Sequence, residues 1–429
     1  MTPLLFPWML TACPATDTVD SESAAADTET GDSSELPAIE TGDTAPPPAW
    51  LATDQASYDV GERILISFGG AAGTPTDWIG LYPADQVENE GSTTWLYTSG
   101  TSEPGAAGVV AGELRFLPIN LPDGAWEARL FHEDGYEPDV RLAFTVADPG
   151  QVAAPAPVGD LTVMSFNAWL NGNGVTDGVE KIASAVVACN PDLVAFQEAG
   201  PNFGTAVVAA LALVDPGWAG ASIATDGTDN TIVSRLPLSD ISGEEGGYSV
   251  RATLQVASGA AVAIVGSHFD YTEYGPWLAR DGSTADRIEA TETRVRGDDA
   301  ARVIAALAGA GAALVLGDHN APSHLDWTPA NADQNFDLVV DWPTSIAFAD
   351  AGFVDAYRTV LPQVASDRGL TWSPGYPKGE LDPDDVHDRI DFVYHRDGDV
   401  VFTPVQAYTY AADPWPSDHR AVVVSYELE

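Results

Sequence analysis

Between residues 161 and 429 a carboxylate, an amide or an imidazole repeatedly stands at the end of a short apolar run. Leu161-Thr162-Val163-Met164-Ser165-Phe166 delivers Asn167, and Leu193-Val194-Ala195-Phe196 delivers Gln197-Glu198. Ala261-Val262-Ala263-Ile264-Val265-Gly266-Ser267 leads to His268, and Ala312-Ala313-Leu314-Val315-Leu316 leads to Gly317-Asp318-His319-Asn320. Asp391 follows Arg389-Ile390 and opens Asp391-Phe392-Val393-Tyr394, while Ser417-Asp418-His419 precedes Ala421-Val422-Val423-Val424-Ser425-Tyr426. A lone His or Asp in a loop is ordinarily just solvated, and Glu198 by itself could simply open a loop. Six such placements in succession require a common cause. Carboxylates and amides are hard oxygen donors of the kind magnesium, manganese or calcium take, and the chain has no Cys/His cluster of the sort zinc prefers.

The elements that must position these residues follow from the apolar pattern. Continuous apolar runs of this length read as strands buried on both faces. Val179, Ile182, Val186 and Cys189 recur at helical spacing, and Asn190-Pro191 stops that helix before the next strand. The Ala-rich stretch from Asp298 to Leu307 predicts a second helix. Strands alternating with helices make this part an α/β unit. Cys189 fills a buried helix position as a small apolar residue, and no disulfide to Cys13 is expected.

The first 160 residues have another character. Residues 3–10 form an apolar run too short to span a bilayer, followed by Leu10-Thr11-Ala12-Cys13, so residues 1–13 read as a secretion signal. Those last four residues resemble a bacterial lipobox, which would make Cys13 a lipid anchor; an ordinary cleaved signal is the alternative, and no Lys or Arg precedes Arg63. Residues 14–48 are Thr, Ser, Ala, Asp, Glu and Gly without periodicity, and are expected to be a disordered acidic spacer. Residues 49–148 carry short alternating runs such as Ile64-Leu65-Ile66-Ser67-Phe68 and Glu127-Ala128-Arg129-Leu130-Phe131, separated by turn residues, which predicts an all-β sandwich. Its stretches Asp77-Trp78-Ile79-Gly80-Leu81-Tyr82, Trp95-Leu96-Tyr97 and Asp134-Gly135-Tyr136 resemble small immunoglobulin-like modules attached to bacterial hydrolases. Their aromatics read first as core and second as a ligand surface. Residues 149–160 are expected to link the two parts.

Lys+Arg 18 against Asp+Glu 64 leaves a net charge of −46 over 429 residues. Such a charge repels polyanions and keeps a chain soluble, and there is no basic stripe of the kind phosphate-backbone binding needs.

Taken in order, Ser165-Phe166-Asn167-Ala168-Trp169, Phe196-Gln197-Glu198, Ser267-His268-Phe269-Asp270, Gly317-Asp318-His319-Asn320, Arg389-Ile390-Asp391 and Ser417-Asp418-His419 resemble the motifs of the endonuclease/exonuclease/phosphatase superfamily. The resemblance covers residues 161–429. It implies a four-layered α/β sandwich with two packed mixed sheets, here preceded by the small all-β domain, and hydrolysis of a phosphate ester. By resemblance, Asn167, Glu198 and Asp418 hold a divalent cation, Mg2+ first and Mn2+ or Ca2+ as alternatives. Asp318 takes the proton from water, Asn320 orients water and phosphate, His268 and His419 donate hydrogen bonds to the phosphoryl oxygens, and Asp391 holds His419. Asn230 and Arg235, within Asn230-Thr231-Ile232-Val233-Ser234-Arg235, match a stretch that positions the site, although a structural ion pair is an equal reading of Arg235. His319 departs from the family's usual aromatic and is expected to pack in its place. Gly369-Leu370-Thr371-Trp372-Ser373-Pro374 and Ser323-His324-Leu325-Asp326-Trp327 resemble loops of bacterial members. The substrate expected is a phospholipid or small phosphodiester handled by a secreted or cell-surface monomer; an extracellular nuclease and an inactive surface-binding protein are the alternatives.

Overall fold

The computed structural model describes residues 48–59, 63–116, 121–147, 154–225, 229–243, 248–372, 385–412 and 415–429. The secretion signal, Cys13 and all but the last residue of the acidic spacer lie outside the described residues, as do residues 149–153 of the 149–160 linker.

The α/β part is built on twelve strands among the described residues: β9 (Leu161–Asn167), β10 (Leu193–Gln197), β11 (Ser222–Ala224), β12 (Thr231–Ser234), β13 (Leu238–Gly243), β14 (Ser249–Gln255), β15 (Ala261–His268), β16 (Ala313–Asp318), β17 (Val354–Asp355), β18 (Asp391–Arg396), β19 (Phe402–Tyr410) and β20 (Ala421–Leu428). They form two six-stranded sheets, ordered β11-β12-β10-β9-β20-β19 and β13-β14-β15-β16-β18-β17. Both are mixed: β9–β10 and β15–β16 run parallel, and the other pairs run antiparallel.

Strand period explains the layers. Val163, Leu193, Ala195, Val422 and Val424 of the first sheet pack against Ile264, Leu314, Leu316 and Val393 of the second in one core. Their sequence neighbours Met164, Phe166, Val194 and Phe196 point the other way, onto α1 (Gly178–Cys189) and α2 (Phe203–Val214). On the far face of the second sheet, Val265, Val315 and Phe392 meet Ala300 and Val303 of α4 (Ala285–Ala306), which follows the short α3 (Gly275–Arg280), and Phe348 of α5 (Pro343–Asp350). The result is helix, sheet, sheet, helix. Because the central strands β9, β10, β15 and β16 are covered on both sides they are apolar at most positions, which is the unalternating pattern of the sequence, whereas the edge strand β13 is largely exposed.

The first helix ends as expected, with Asn190 in the left-handed conformation at φ 51° before Pro191. The second does not begin where the apolar pattern begins. It starts at Ala285 rather than near Asp298, because its buried face carries Ile288 together with Glu292 and Arg296, both fully buried and paired at 2.9 Å. A helix whose inward residues are an ion pair has no apolar period to read.

Residues 50–147 supply β1 (Trp50–Thr53), β2 (Ser57–Asp59), β3 (Ile64–Gly69), β4 (Trp78–Pro83), β5 (Thr94–Tyr97), β6 (Ala111–Phe116), β7 (Gly124–Phe131) and β8 (Val140–Ala147). A three-stranded sheet β1-β3-β6 and a five-stranded sheet β2-β8-β7-β4-β5 close around Ile66, Phe68, Leu114, Ile79, Leu81, Leu130 and Phe144. This part touches the rest: Arg63 donates its backbone N–H to Gln334 at 2.9 Å and pairs with Asp333 at 3.2 Å, and Arg115 pairs with Asp337 at 3.3 Å. Residues 47–429 accordingly form one compact unit.

Beneath the strand ends lies a buried charge network. The Arg389 side chain, fully buried, donates Nη2 to Asp355 at 2.7 Å and Nε to Asp326 at 3.0 Å, and Arg358 Nε donates to the other Asp326 oxygen at 2.6 Å. Its two carboxylates hold the Arg389 pKa well above the ordinary arginine value against the opposing effect of burial. Removing a single partner of such a network strands a buried charge. Arg389→Met is therefore expected to cost about 3–5 kcal/mol, read as a lowered urea midpoint at unchanged m-value.

Candidate functional site

The pairing registers carry the polar strand ends to one rim. Asn167 pairs with Gln197 across β9 and β10, His268 with Asp318 across β15 and β16, and Asp318 with Asp391 across β16 and β18. Ser417 Oγ donates to the Asn167 carbonyl at 2.7 Å, which brings Asp418 and His419 to the same edge.

Two tight turns fix the first of these residues. Trp169, Leu170 and Asn171 have φ of 44°, 56° and 60°, and Glu198 has φ of 50°. Left-handed backbone costs a non-glycine residue roughly 1–2 kcal/mol, so each must be held by its surroundings. Glu198 Oε2 accepts from Leu170 N at 2.7 Å, and Asn171 N donates to the Glu198 carbonyl at 2.8 Å. Asn167 Oδ1 accepts from Trp169 N at 2.9 Å, and its Nδ2 donates to Glu198 Oε1 at 3.3 Å and to Asp318 Oδ2 at 3.0 Å.

Asp318 occupies the centre, 1% exposed, between two imidazoles each backed by a carboxylate. His419 Nε2 stands 3.6 Å from Asp318 Oδ2, and its Nδ1 meets Asp391 Oδ2 at 2.8 Å. His268 Nε2 stands 3.7 Å from the same Asp318 oxygen, and its Nδ1 meets Asp229 Oδ2 at 2.8 Å. Burial above all, with the nearby Asp391 charge, pushes the Asp318 carboxyl up to about 6 against the pull of His419 and His268. Burial works against protonation of His419, but Asp391, Asp318 and Asp418 together raise it to about 10; Asp229 and Asp318 similarly raise His268 to about 9. The rim can therefore take a proton at a carboxylate while presenting two cationic N–H donors to an anion.

Asp418 is nearly buried, accepts from Trp372 Nε1 at 3.3 Å through Oδ2, and keeps Oδ1 without a hydrogen-bond partner among the described residues. Burial and then the Glu198 charge raise its pKa. An orphaned carboxylate oxygen on a cavity that Glu198 also lines fits a hard divalent cation. Asp318, Asp391 and His419 also bring ligand atoms within 4.8 Å of one another. There the imidazole Nδ1 and the Asp391 oxygen already satisfy each other, so that trio is better suited to proton handling.

Asn320, at φ 51°, sits at the pocket edge; its N–H donates to Asp318 Oδ1 at 2.9 Å and its Nδ2 to the Phe269 carbonyl at 3.0 Å. Asn230 is buried beside the rim and donates to Asp229 at 2.8 Å. Arg235 does not reach the site. β12 runs antiparallel to β10, so Ser234 lies opposite Leu193 at the far end of that strand. There Arg235 pairs with Asp215 at 2.9 Å, donates to Asn190 at 2.7 Å and covers the Trp218 ring at 4.5 Å, which corrects the expected substrate contact to a structural ion pair.

His319 packs where an aromatic would: it stacks on Phe269 at 4.2 Å and 10°, and its Nε2 contacts Ser267 Oγ at 3.1 Å. Burial, with a smaller contribution from the His268 charge, lowers its pKa to about 3. The unfolded chain therefore binds a proton here below about pH 6.5 that the folded chain refuses until about 3, so this group's stability is complete above pH 6.5 and lost as pH falls. His319→Phe is expected to lose less stability than wild type between pH 7 and pH 4.5, compared by urea midpoints at the two pH values.

Three aromatic rings, Tyr271, Tyr274 and Trp277, and one acid carry no signal in the sequence, whereas Trp372 belongs to the 369–374 stretch that resembles loops of bacterial members. Asp229 stands next to Asn230, and the antiparallel run of β12 was the missing signal, since it carries the start of that strand to the Glu198 end. Tyr271, Tyr274, Trp277 and Trp372 wall the cavity that Glu198, His268, Asp318, Asp418 and His419 line, a space of about 180 Å³. Tyr274 meets Trp277 and Trp372 edge to face at 5.5 and 5.3 Å. Thr371 accepts at Oγ1 from the backbone of both Ile390 and Asp391, at 3.0 and 3.1 Å, and so ties the Trp372 segment to the Asp391 strand.

The sequence model of the Endonuclease/Exonuclease/phosphatase family matches residues 164–419. An uncharacterized protein of Caenorhabditis elegans is 30% identical over 291 residues, covering 62% of this chain and 91% of its own length. Among solved structures, an endonuclease/exonuclease/phosphatase from Beutenbergia cavernae is similar at 20% identity and TM-score 0.43, over 63% of this chain and 72% of that one. A 3' phosphatase, NExo, from Neisseria is similar at 19% identity and TM-score 0.42, over 62% of this chain and 99% of that one.

Proposed function

This chain belongs to the endonuclease/exonuclease/phosphatase family, whose members hydrolyse phosphoesters, and from that premise we propose that it is a divalent-metal-dependent phosphodiesterase in which Asp318 is the general base. The observation that carries the reading is the placement of Asp318 between His419 and His268, each backed by its own carboxylate.

Asp318, ionised above about pH 6, accepts the proton of a water attacking phosphorus in line with the leaving oxygen. His419 and His268, both protonated at neutral pH, direct N–H donors at the phosphoryl oxygens as negative charge grows there. Asp391 and Asp229 accept from the two Nδ1–H groups and so fix ring orientation and charge. Asn320 shapes the pocket edge beside the water. Asn167, Glu198 and Asp418 would hold the cation, Mg2+ first, which when bound supplies neutralisation of a non-bridging or leaving oxygen.

For the substrate we favour a phospholipid or small phosphodiester over nucleic acid. The described residues lining the cavity include Tyr271, Tyr274, Trp277 and Trp372 but no Lys or Arg, and the net charge is −46. Affinity for a polyanion normally rests on such cations. Export, with Cys13 as lipid anchor, belongs to the same reading and rests on residues 3–13 alone. The test is hydrolysis of sphingomyelin, a chromogenic diester and DNA compared in Mg2+ across a salt series. The expected result is turnover of a lipid or small diester with little salt dependence; preferential, steeply salt-dependent cleavage of DNA would replace this substrate assignment with the nuclease.

A further inference from the structure

The five-stranded sheet of residues 50–147 borders a second cavity, of about 380 Å³, that shares no residue with the rim of carboxylates and imidazoles. Trp78 of β4 is its floor, with one ring face stacked on Phe131 at 4.2 Å and 17°. Trp95 of β5 and Tyr136 stand nearly upright on that floor, their centroids 6.0 and 5.9 Å from Trp78 and both at 77° to it. Tyr97 meets Trp95 edge to face at 4.9 Å and donates its hydroxyl to Asp134 at 2.9 Å. Asp134 is the one charged side chain among the described lining residues.

The turn that presents this carboxylate is held firmly. Glu133 and Asp134 have φ of 51° and 52°, a conformation disfavoured for both. Asp134 N donates to the Thr76 carbonyl at 3.0 Å and Glu133 N to Asp77 at 3.3 Å, while buried Asp77 also accepts from Gly73 N at 2.6 Å and Thr74 N at 3.0 Å. A sandwich that needed these rings only for its core would bury them all. Trp78 and Tyr97 are buried, but Trp95 is 36% and Tyr136 50% exposed.

Rings set at right angles can turn electron-rich faces toward one compact cationic group from several sides, whereas a sugar ring stacks on a single open aromatic platform. One carboxylate supplies charge complementarity without the ring of acceptors that a primary ammonium, with three N–H donors, would demand. We infer that this cavity binds a quaternary ammonium group of the trimethylammonium type, with Trp78, Trp95 and Tyr136 as the cage and Asp134 as the counter-charge. The inference does not depend on the hydrolase reading. Free choline and the phosphatidylcholine headgroup carry the same group.

The test is calorimetric titration of the full-length chain with choline and with its neutral isostere 3,3-dimethylbutan-1-ol. Choline is expected to bind saturably, at least about tenfold more tightly than the isostere, and Trp95→Ala, Tyr136→Ala and Asp134→Asn are each expected to weaken it about five- to thirtyfold. The two aromatic positions are partly exposed and Asn preserves the Tyr97 hydrogen bond, so the thermal midpoint should be retained, as should turnover of a soluble diester. A second arm measures retention on phosphatidylcholine and phosphatidylglycerol vesicles: phosphatidylcholine-selective retention lost in Trp95→Ala assigns the lipid headgroup, and choline binding without retention assigns the free cation. Equal affinity for choline and the isostere, choline binding untouched by all three variants, no saturable choline binding, or saturable sugar binding abolished by Trp95→Ala would each overturn the inference.

Discussion

Asp318→Asn lowers kcat on a small phosphodiester by about 10³-fold, because the substitution removes the proton acceptor and also turns the oxygen that accepts from Asn167 Nδ2 at 3.0 Å into an amide donor. The amide is isosteric with the carboxyl group. Its oxygen can still accept from Asn320 N, which now meets Oδ1 at 2.9 Å, and the 1% exposed site gains no cavity. The main loss falls on the step in which the attacking water gives up its proton. Far-UV circular dichroism and the thermal midpoint serve as controls, since a collapsed rim would lower both kcat and stability.

Asp391→Asn has an effect of similar size through a different route. Asp391 lies at 0% exposure behind His419 and touches no part of the open cavity, so it acts as a positioning residue. Its Oδ2 accepts from His419 Nδ1 at 2.8 Å, and its other oxygen has no partner among the described residues. An amide there can donate to Nδ1, which leaves a neutral imidazole with its proton on Nε2 and removes the positive charge that Asp391 sustains at the phosphoryl oxygens. A loss of about 10³-fold in kcat is expected, and Asp391→Asn combined with His419→Ala should be no slower than His419→Ala alone, since both remove one unit. Additive losses would show that Asp391 works independently of His419.

The α/β part of the fold was legible because two-sided burial forces apolar runs that end abruptly in polar residues. Asn167, Glu198, His268, Asp318, Asp391 and His419 mark those ends, and pairing register within each sheet, the packing of the two sheets and the Ser417 hydrogen bond carry them to one rim. Register itself is invisible in sequence, which is why Arg235 was expected at the site. It is the first residue past a strand whose direction decides the outcome: antiparallel to β10, β12 sends Asp229 and Asn230 to the rim and Arg235 to the opposite end. The start of α4 was hidden for another reason, since Glu292 and Arg296 neutralise one another inside and erase the apolar period. The aromatic wall of Tyr274, Trp277 and Trp372 comes from loops and short segments with no periodicity at all.

Asp318 is proposed to drive metal-dependent phosphodiester hydrolysis at this rim. The most direct test is the initial rate of bis(p-nitrophenyl) phosphate hydrolysis by wild type and Asp318→Asn, each measured in Mg2+, in excess chelator, and after Mg2+ is restored. Wild type is expected to show turnover that chelator abolishes and Mg2+ restores, with Asp318→Asn slow throughout. Equal rates for the two proteins, or wild-type turnover indifferent to chelator, would contradict this assignment.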